Sequence, residues 1–235
     1  RIIVGKSLNA GQTCIAPDYV LLPRASLPAF VDAARAHVRR GYPAGLADGN
    51  YCSIVNDRQY RRLVGHVDEA AQRGTLTETL FDGAARDDAG HRLAPMLLID
   101  PPADCGAMRD EIFGPVLPLV PYDSVDDAIA FVNARPRPLA LYWFDRDNTR
   151  VERALQAIPA GGVTVNDTLL HITQESLPFG GVGASGMGHY HGRWGFDTFS
   201  KLKPVFRQSR LNGMALFLPP YGPLMRRLLG LMKRF

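Results

Sequence analysis

The side chain with the most chemistry in a telling place is Cys14, within Asn9-Ala10-Gly11-Gln12-Thr13-Cys14-Ile15-Ala16-Pro17. A helix-like run (Ile2, Ile3, Val4, Leu8) precedes it and a strand-like one (residues 18–22) follows. Gly11 breaks the first element and Pro17 forbids its continuation. Cys14 therefore sits at a junction, where backbone N–H groups outside any ladder can point at a bound group. A thiol reacts as its thiolate, so placement matters more than presence. The plainer reading of a Cys among apolar residues is a small core residue.

Other chemistry-bearing residues are fewer. The three cysteines, Cys14, Cys52 and Cys105, are odd in number and widely spaced, which argues against a disulfide framework or a zinc knuckle. Cys52 and Cys105 read as inert. His189 and His191 stand two apart on a Gly-rich loop with no further ligand nearby, a poor metal site, so no metal is expected. Gly181-Val182-Gly183-Ala184-Ser185-Gly186 spells G-x-G-x-x-G. That pattern binds phosphate only between a strand and a helix start, with an acidic residue about twenty places on. Pro178-Phe179 precedes it here and the only acid downstream is Asp197, so a dinucleotide role is refused.

The elements that must hold these residues alternate. Residues 19–22 read as a buried strand. Ser26 starts a helix carrying Phe30, Val31, Ala34 and Val38 at helical spacing, ended by Gly41 and Pro43. Asn56 caps a second helix through Tyr60, Leu63, Val64 and Val67, closed by Gly74. Residues 75–81 alternate like a strand, 82–90 form a polar turn region, and 93–99 return as a strand that Pro95 interrupts, near an edge. Strands over 116–120, 139–144 and 163–166 enclose helices opened by Ser124 and by Asn148. This order predicts an α/β fold: β-α-β crossovers and a mostly parallel, twisted sheet with flanking helices.

An apolar fraction of 46%, 21% charged residues and a net charge of +4 describe an ordinary globular chain. No basic face interleaves with aromatics, so no nucleic-acid partner is expected. No signal peptide and no run of ~18 apolar residues is read. The cysteine usage predicts a reducing, cytoplasmic compartment.

The run ending Asn9-Ala10-Gly11-Gln12-Thr13-Cys14-Ile15-Ala16-Pro17-Asp18-Tyr19 resembles the nucleophile segment of the aldehyde dehydrogenase superfamily, in its class 3 form. Three later stretches agree in order: Glu111-Ile112-Phe113-Gly114-Pro115, Gly162-Val163-Thr164-Val165-Asn166, and Leu177-Pro178-Phe179-Gly180-Gly181 with its Gly-rich continuation to Gly188. Residues 166–171 and 188–192 are most similar to coniferyl-aldehyde dehydrogenases within that branch. The resemblance implies NAD(P)-dependent oxidation of an aldehyde, aromatic such as coniferyl aldehyde or aliphatic, to the carboxylic acid. It makes Cys14 the nucleophile, passing through a thiohemiacetal and a thioester. It assigns Glu111 to the nicotinamide ribose and Phe113 to the ring of NAD or NADP. It lines the aldehyde pocket with Thr13, Leu169, Ile172, Phe179 and His191, the Gly-rich loop bringing Phe179 to the channel. It also implies that this is the C-terminal catalytic half, opening on Arg1 as though a helix were cut through. The nucleotide-binding half, the glutamate base and an asparagine oxyanion donor then lie outside this chain. Two alternatives stay open: a non-catalytic fragment or scaffold, and an acylating relative that passes the acyl group to coenzyme A.

Residues 1–199 are expected to form the thiol domain. Residues 200–235 are expected to add a dimer-type strand (200–207) and an amphipathic tail, with a homodimer as the assembly. In the tail, Leu224, Leu228, Leu231, Met232 and Phe235 face away from Arg226, Arg227, Lys233 and Arg234. Docking on its own subunit or a partner is the favoured reading of such a helix; peripheral contact with a membrane is the less favoured one.

Overall fold

A computed structural model describes residues 1–214 and 218–233. The chain divides into two compact units, Arg1–Phe199 and Ser200–Phe235.

In the first unit, the elements appear in the order helix α1 (Ile2–Ser7), β1 (Val20–Pro23), α2 (Leu27–Gly41), α3 (Asp57–Gln72), β2 (Leu76–Thr79), β3 (Arg86–Asp87), β4 (Arg92–Leu93), β5 (Met96–Ile99), α4 (Gly106–Arg109), β6 (Val116–Tyr122), α5 (Val125–Asn133), β7 (Ala140–Trp143), α6 (Asn148–Ala157), β8 (Gly162–Val165) and α7 (Gly192–Thr198). The main sheet runs β1-β6-β5-β2. β6 pairs in parallel with β1 (Val20 opposite Leu119) and with β5 (Leu97 opposite Leu117), while β2 joins antiparallel (Thr77 opposite Leu98). β7 and β8 pair in parallel as a separate ribbon.

The sequence explains most of this. The run Val116-Leu117-Pro118-Leu119 is continuously apolar because both faces of β6 are covered. On α3, Tyr60, Leu63, Val67 and Ala70 are all buried, as are Ala34 and Val38 on α2. They share one core with Leu97, Leu98, Leu117 and Leu119. A smaller core joins Ile129 and Val132 of α5 to Ile158, with Leu21, Leu141 and Trp143 packed against it. The caps are local: Asn56 Oδ1 accepts from the Gln59 amide at 3.0 Å, worth about 1 kcal/mol, and Ser124 and Asp127 form a reciprocal capping box. Ser26 precedes α2 without a side-chain cap; one 3₁₀ turn, Arg24–Ser26, leads the chain in instead.

Two expectations are corrected. The polar stretch 82–90 contains β3, which pairs with β4 in a two-residue hairpin. Pro95 does not mark an edge: it lies between β4 and β5, its carbonyl accepts from the Leu80 amide, and β5 is an interior strand. Residues 201–207 carry no regular element within the single chain.

Among the described residues of the second unit, the one long element is α8 (Pro223–Met232). Arg234 and Phe235 of the expected tail helix lie outside the described residues. Among the described residues, no helix is long and apolar enough to cross a membrane.

Candidate active site

The backbone beyond α1 turns sharply. Asn9, Ala10 and Gly11 all take positive φ, at 50°, 50° and 74°. Such a run is strained for Asn and Ala and free only for Gly. A Cβ on Gly11 would meet the Gly114 carbonyl oxygen at 2.2 Å. Two loops distant in sequence, the Cys14 loop and the 110–115 loop, thus touch backbone to backbone. Gln12 fixes the first loop further. Its Nε2 donates to the Asn9 and Ser53 carbonyls at 3.1 and 3.0 Å, and its Oε1 accepts from the Val55 amide at 2.9 Å.

Cys14 then lies in a turn closed by the Ala16 amide donating to the Thr13 carbonyl at 3.0 Å. Its side chain is exposed, as is that of Cys52, whereas Cys105 is buried. The Cys14 amide makes no hydrogen bond among the described residues, so it is open to an oxygen brought to the sulfur. Behind the turn, the Tyr142 hydroxyl on β7 donates to the Ile15 carbonyl at 2.5 Å. Burial pushes this phenol up to about 12, so it stays a neutral donor.

The second loop carries Glu111 and Phe113, both exposed at its surface, with the Phe113 φ at 48°. Arg62 of α3 grips this loop: Nη1 donates to the Glu111 carbonyl at 3.0 Å and Nη2 to the Ile112 carbonyl at 2.6 Å. From the other side, Asp18 Oδ1 accepts from the Ile112 amide at 3.2 Å. Asp18 faces Lys6, which is 3% exposed. Burial lowers the Lys6 amine to about 8, against the opposing pull of Asp18. Burial likewise raises the Asp18 carboxyl, and the Lys6 charge limits that rise.

Cys14, Thr13, Lys6, Asp18, Glu111 and Phe113 line one cavity of about 830 Å³, along with Ala184 and Ser185 of the Gly-rich loop. The structure therefore gathers Cys14, Thr13, Glu111 and Phe113. Leu169, Ile172, Phe179 and His191 lie outside that lining; Phe179 and His191 belong to an aromatic group with His171 and Tyr190. Phe179 stacks on His171 (5.7 Å between ring centroids) and approaches His191 (6.2 Å). His191 Nδ1 is 3.0 Å from the Leu177 carbonyl. Ile172 donates its amide to the Leu169 carbonyl at 3.1 Å. Tyr142 bridges the two groups: its hydroxyl holds the Ile15 carbonyl beside Cys14, and its ring lies 6.1 Å from that of His171. Leu169 and His191 also hold positive φ, at 67° and 82°. Strain of this kind, about 1–3 kcal/mol per residue, collects where function fixes the backbone.

Arg62 and Tyr142 were not anticipated, and Gln12, Lys6 and Asp18 were given no role. Lys6 alone left a signal, since it follows Ile2 and Ile3 at helical spacing on the side of α1 that is buried. Among the described residues, no group of three His, Cys, Asp or Glu could hold a metal ion. An exposed carboxylate and an exposed aromatic ring on a loop held at positive φ, both lining the thiol's cavity, fit a ribose and a flat cofactor ring.

Comparison with known proteins bears on this geometry. The profile of the aldehyde dehydrogenase family matches residues 1–205. A probable coniferyl aldehyde dehydrogenase of Pseudomonas aeruginosa is 48% identical over 97% of this chain, covering 47% of its own length. The substrate-bound AldH of Staphylococcus aureus superposes with a TM-score of 0.81 at 39% identity, over 99% of this chain and 50% of that one. An aldehyde dehydrogenase from Bacillus cereus solved as its NAD+ complex gives 0.75 at 25% identity, over 86% and 41%. The chain spans about half the length of the curated relatives it matches.

Proposed function

The chain belongs to the aldehyde dehydrogenase family, and on that premise we propose that it is the thiol-bearing part of an enzyme oxidising an aldehyde to its carboxylic acid. One observation carries the reading: an exposed Cys14, its amide without a partner, opens on the same cavity as Glu111 and Phe113.

In this reading, the Cys14 thiolate adds to the carbonyl carbon. The carbonyl electron pair moves to oxygen, and the Cys14 amide donates to that oxyanion. Glu111 holds the ribose of NAD or NADP and Phe113 steadies its ring. Once bound, the oxidised nicotinamide supplies the acceptor for the hydride that leaves the captured carbon. Attack of water on the resulting Cys14 thioester breaks the C–S bond, releases the acid and returns the thiolate. By kinship, the glutamate base for that water and a second oxyanion donor, an asparagine, belong to the portion of the relatives that this chain does not span. The name of the Pseudomonas aeruginosa relative supports an aromatic propenal such as coniferyl aldehyde. Leu169, Ile172, Phe179 and His191, next to the cavity behind Tyr142, are proposed as the distal wall of its binding slot. Kinship also supports a homodimer in which residues 200–207 become a strand by pairing with a partner.

The test uses the chain itself. Iodoacetamide labelling of Cys14 and Cys52 is followed by peptide mass spectrometry with and without coniferyl aldehyde. The aldehyde should protect Cys14 and leave Cys52 unchanged. Equal labelling of Cys14 in both conditions would refute capture of the carbonyl by this sulfur.

A further inference from the structure

Residues 200–235 contain eight Lys or Arg and not one Asp or Glu. With +4 on the whole chain, residues 1–199 are left at −4, so the positive excess lies entirely in this segment. Within it, α8 sorts its side chains by face. At ~100° per residue, its leucines and methionines fall within roughly 160° of the helix surface, and Arg226, Arg227 and Lys233 occupy the opposite arc. Most of the apolar arc is wet: Leu224, Leu231 and Met232 are 55%, 58% and 66% exposed, and Met225 alone is buried.

We propose that α8 lies in the plane of an anionic phospholipid surface, with its leucines and methionines among the acyl chains and its basic arc at the phosphates. Ten residues reach about 15 Å, half a bilayer core, so the helix lies along the surface and does not span it. Its two faces each require something, and an anionic bilayer supplies both. A soluble polyanion would engage only the basic arc and leave the apolar one in water. A groove on a protein would cover the apolar arc but gives no reason for 36 residues without an acid.

The experiment is flotation of the full chain with vesicles of equal parts phosphatidylglycerol and phosphatidylcholine, against phosphatidylcholine alone. It is run at low ionic strength and again at about 0.5 M salt, where the screening length falls below ~5 Å. The chain should float with the anionic vesicles only, and less in salt. Each basic residue near such a surface strengthens binding about fivefold, so Arg226→Gln with Arg227→Gln should weaken it about 30-fold. Leu228→Ser with Leu231→Ser should abolish flotation while the pattern of cysteine labelling stays that of the parent chain. Four results would overturn the proposal: no flotation, equal flotation with both vesicles, flotation that survives the leucine substitutions, or a tail whose substitutions change only the oligomeric mass in light scattering.

Discussion

Replacing Arg62 by Met tests the link between α3 and the Glu111 loop. Met keeps the apolar stem that Arg lays along the helix and removes the fork. Two bonds from a charged donor to backbone carbonyls are lost, at 3.0 and 2.6 Å, and the Ile112 side that they support is fully buried. Bonds of this type contribute about 1.5–3 kcal/mol each when one partner is cut away. Arg62 is itself part-exposed, so the lower end applies and the variant should lose about 3 kcal/mol. At roughly 2–4 °C per kcal/mol for a chain of this size, the melting point should drop by roughly 6–12 °C. The neighbouring Arg61→Met is the control. Arg61 is exposed and pairs across one helical turn with Asp57 at 3.0 Å, which contributes about 0.5 kcal/mol or less. Urea unfolding reports the difference, and hydrogen exchange reports its location: the Ile112 amide, held by Asp18, should exchange faster in the Arg62 variant while α2 is unchanged. If Arg62→Met is no more costly than Arg61→Met, the clamp does not hold the loop.

Three further outcomes are expected. Iodoacetamide should label Cys14 and Cys52 in the folded chain and Cys105 only in denaturant, as their exposure dictates; mass spectrometry of peptides reads this directly. Gly11→Ala drives a Cβ into the Gly114 carbonyl at positive φ and should cost about 3 kcal/mol or more. Gly41→Ala, at the end of α2 with open space around it, should stabilise the chain by up to about 1 kcal/mol in the same urea titration. Lys6 loses its proton near pH 8 when folded and near 10.5 otherwise. Between those values the unfolded chain holds a proton that the folded chain lacks, so stability rises with pH by ~1.4 kcal/mol per unit. Between pH 8 and about 9.5 the parent chain should therefore gain ~2 kcal/mol relative to Lys6→Met; parallel pH profiles would contradict a buried, desolvated amine.

What was legible in the sequence follows from the range of each signal. Helices with a local cap and a 3.6-residue stripe, such as α3 behind Asn56 or α5 behind Ser124, are written within a dozen residues. The continuous apolar run of β6 likewise announces a strand covered on both faces. The hairpin β3–β4 is not legible in this way, because two-residue strands built on Arg86, Asp87 and Arg92 show no alternation. The isolation of the β7–β8 ribbon from the main sheet has no local signature either. At the site, Cys14, Glu111 and Phe113 stood out by motif. Arg62 and Tyr142 did not, and Asp18 stood in the motif without a role, since each acts through a backbone group 49 to 127 residues away. Arg62 in particular is one of three arginines within five residues on α3, and only the fold singles it out.

The Lys6–Asp18 pair shows why the cavity, more than the fold, accounts for these residues. For Asp18, whose carboxyl is raised by burial, the folded chain binds a proton more readily than the unfolded one. Stability therefore falls as pH rises from 3.8 through the raised value. For Lys6 the gain comes only above about 8. Burial works against the charged form of both groups, so neither side chain is placed there for stability. An apolar pair of similar volume would do at least as well for stability alone. Yet these two side chains face the cavity that Cys14 opens on, and Asp18 also holds the Ile112 amide that sets the Glu111 loop. The positive φ of Ala10, Phe113, Leu169 and His191 falls in the same neighbourhood or beside it. Desolvated charge and backbone strain are each destabilising, and the core leucines Leu63, Leu97, Leu98 and Leu117 pack without either. Where the strained loops of Asn9, Ala10 and Phe113 meet buried Lys6 and Asp18 beside one exposed sulfur, both costs fall on a single cavity, which suits a binding and reaction site more than folding alone.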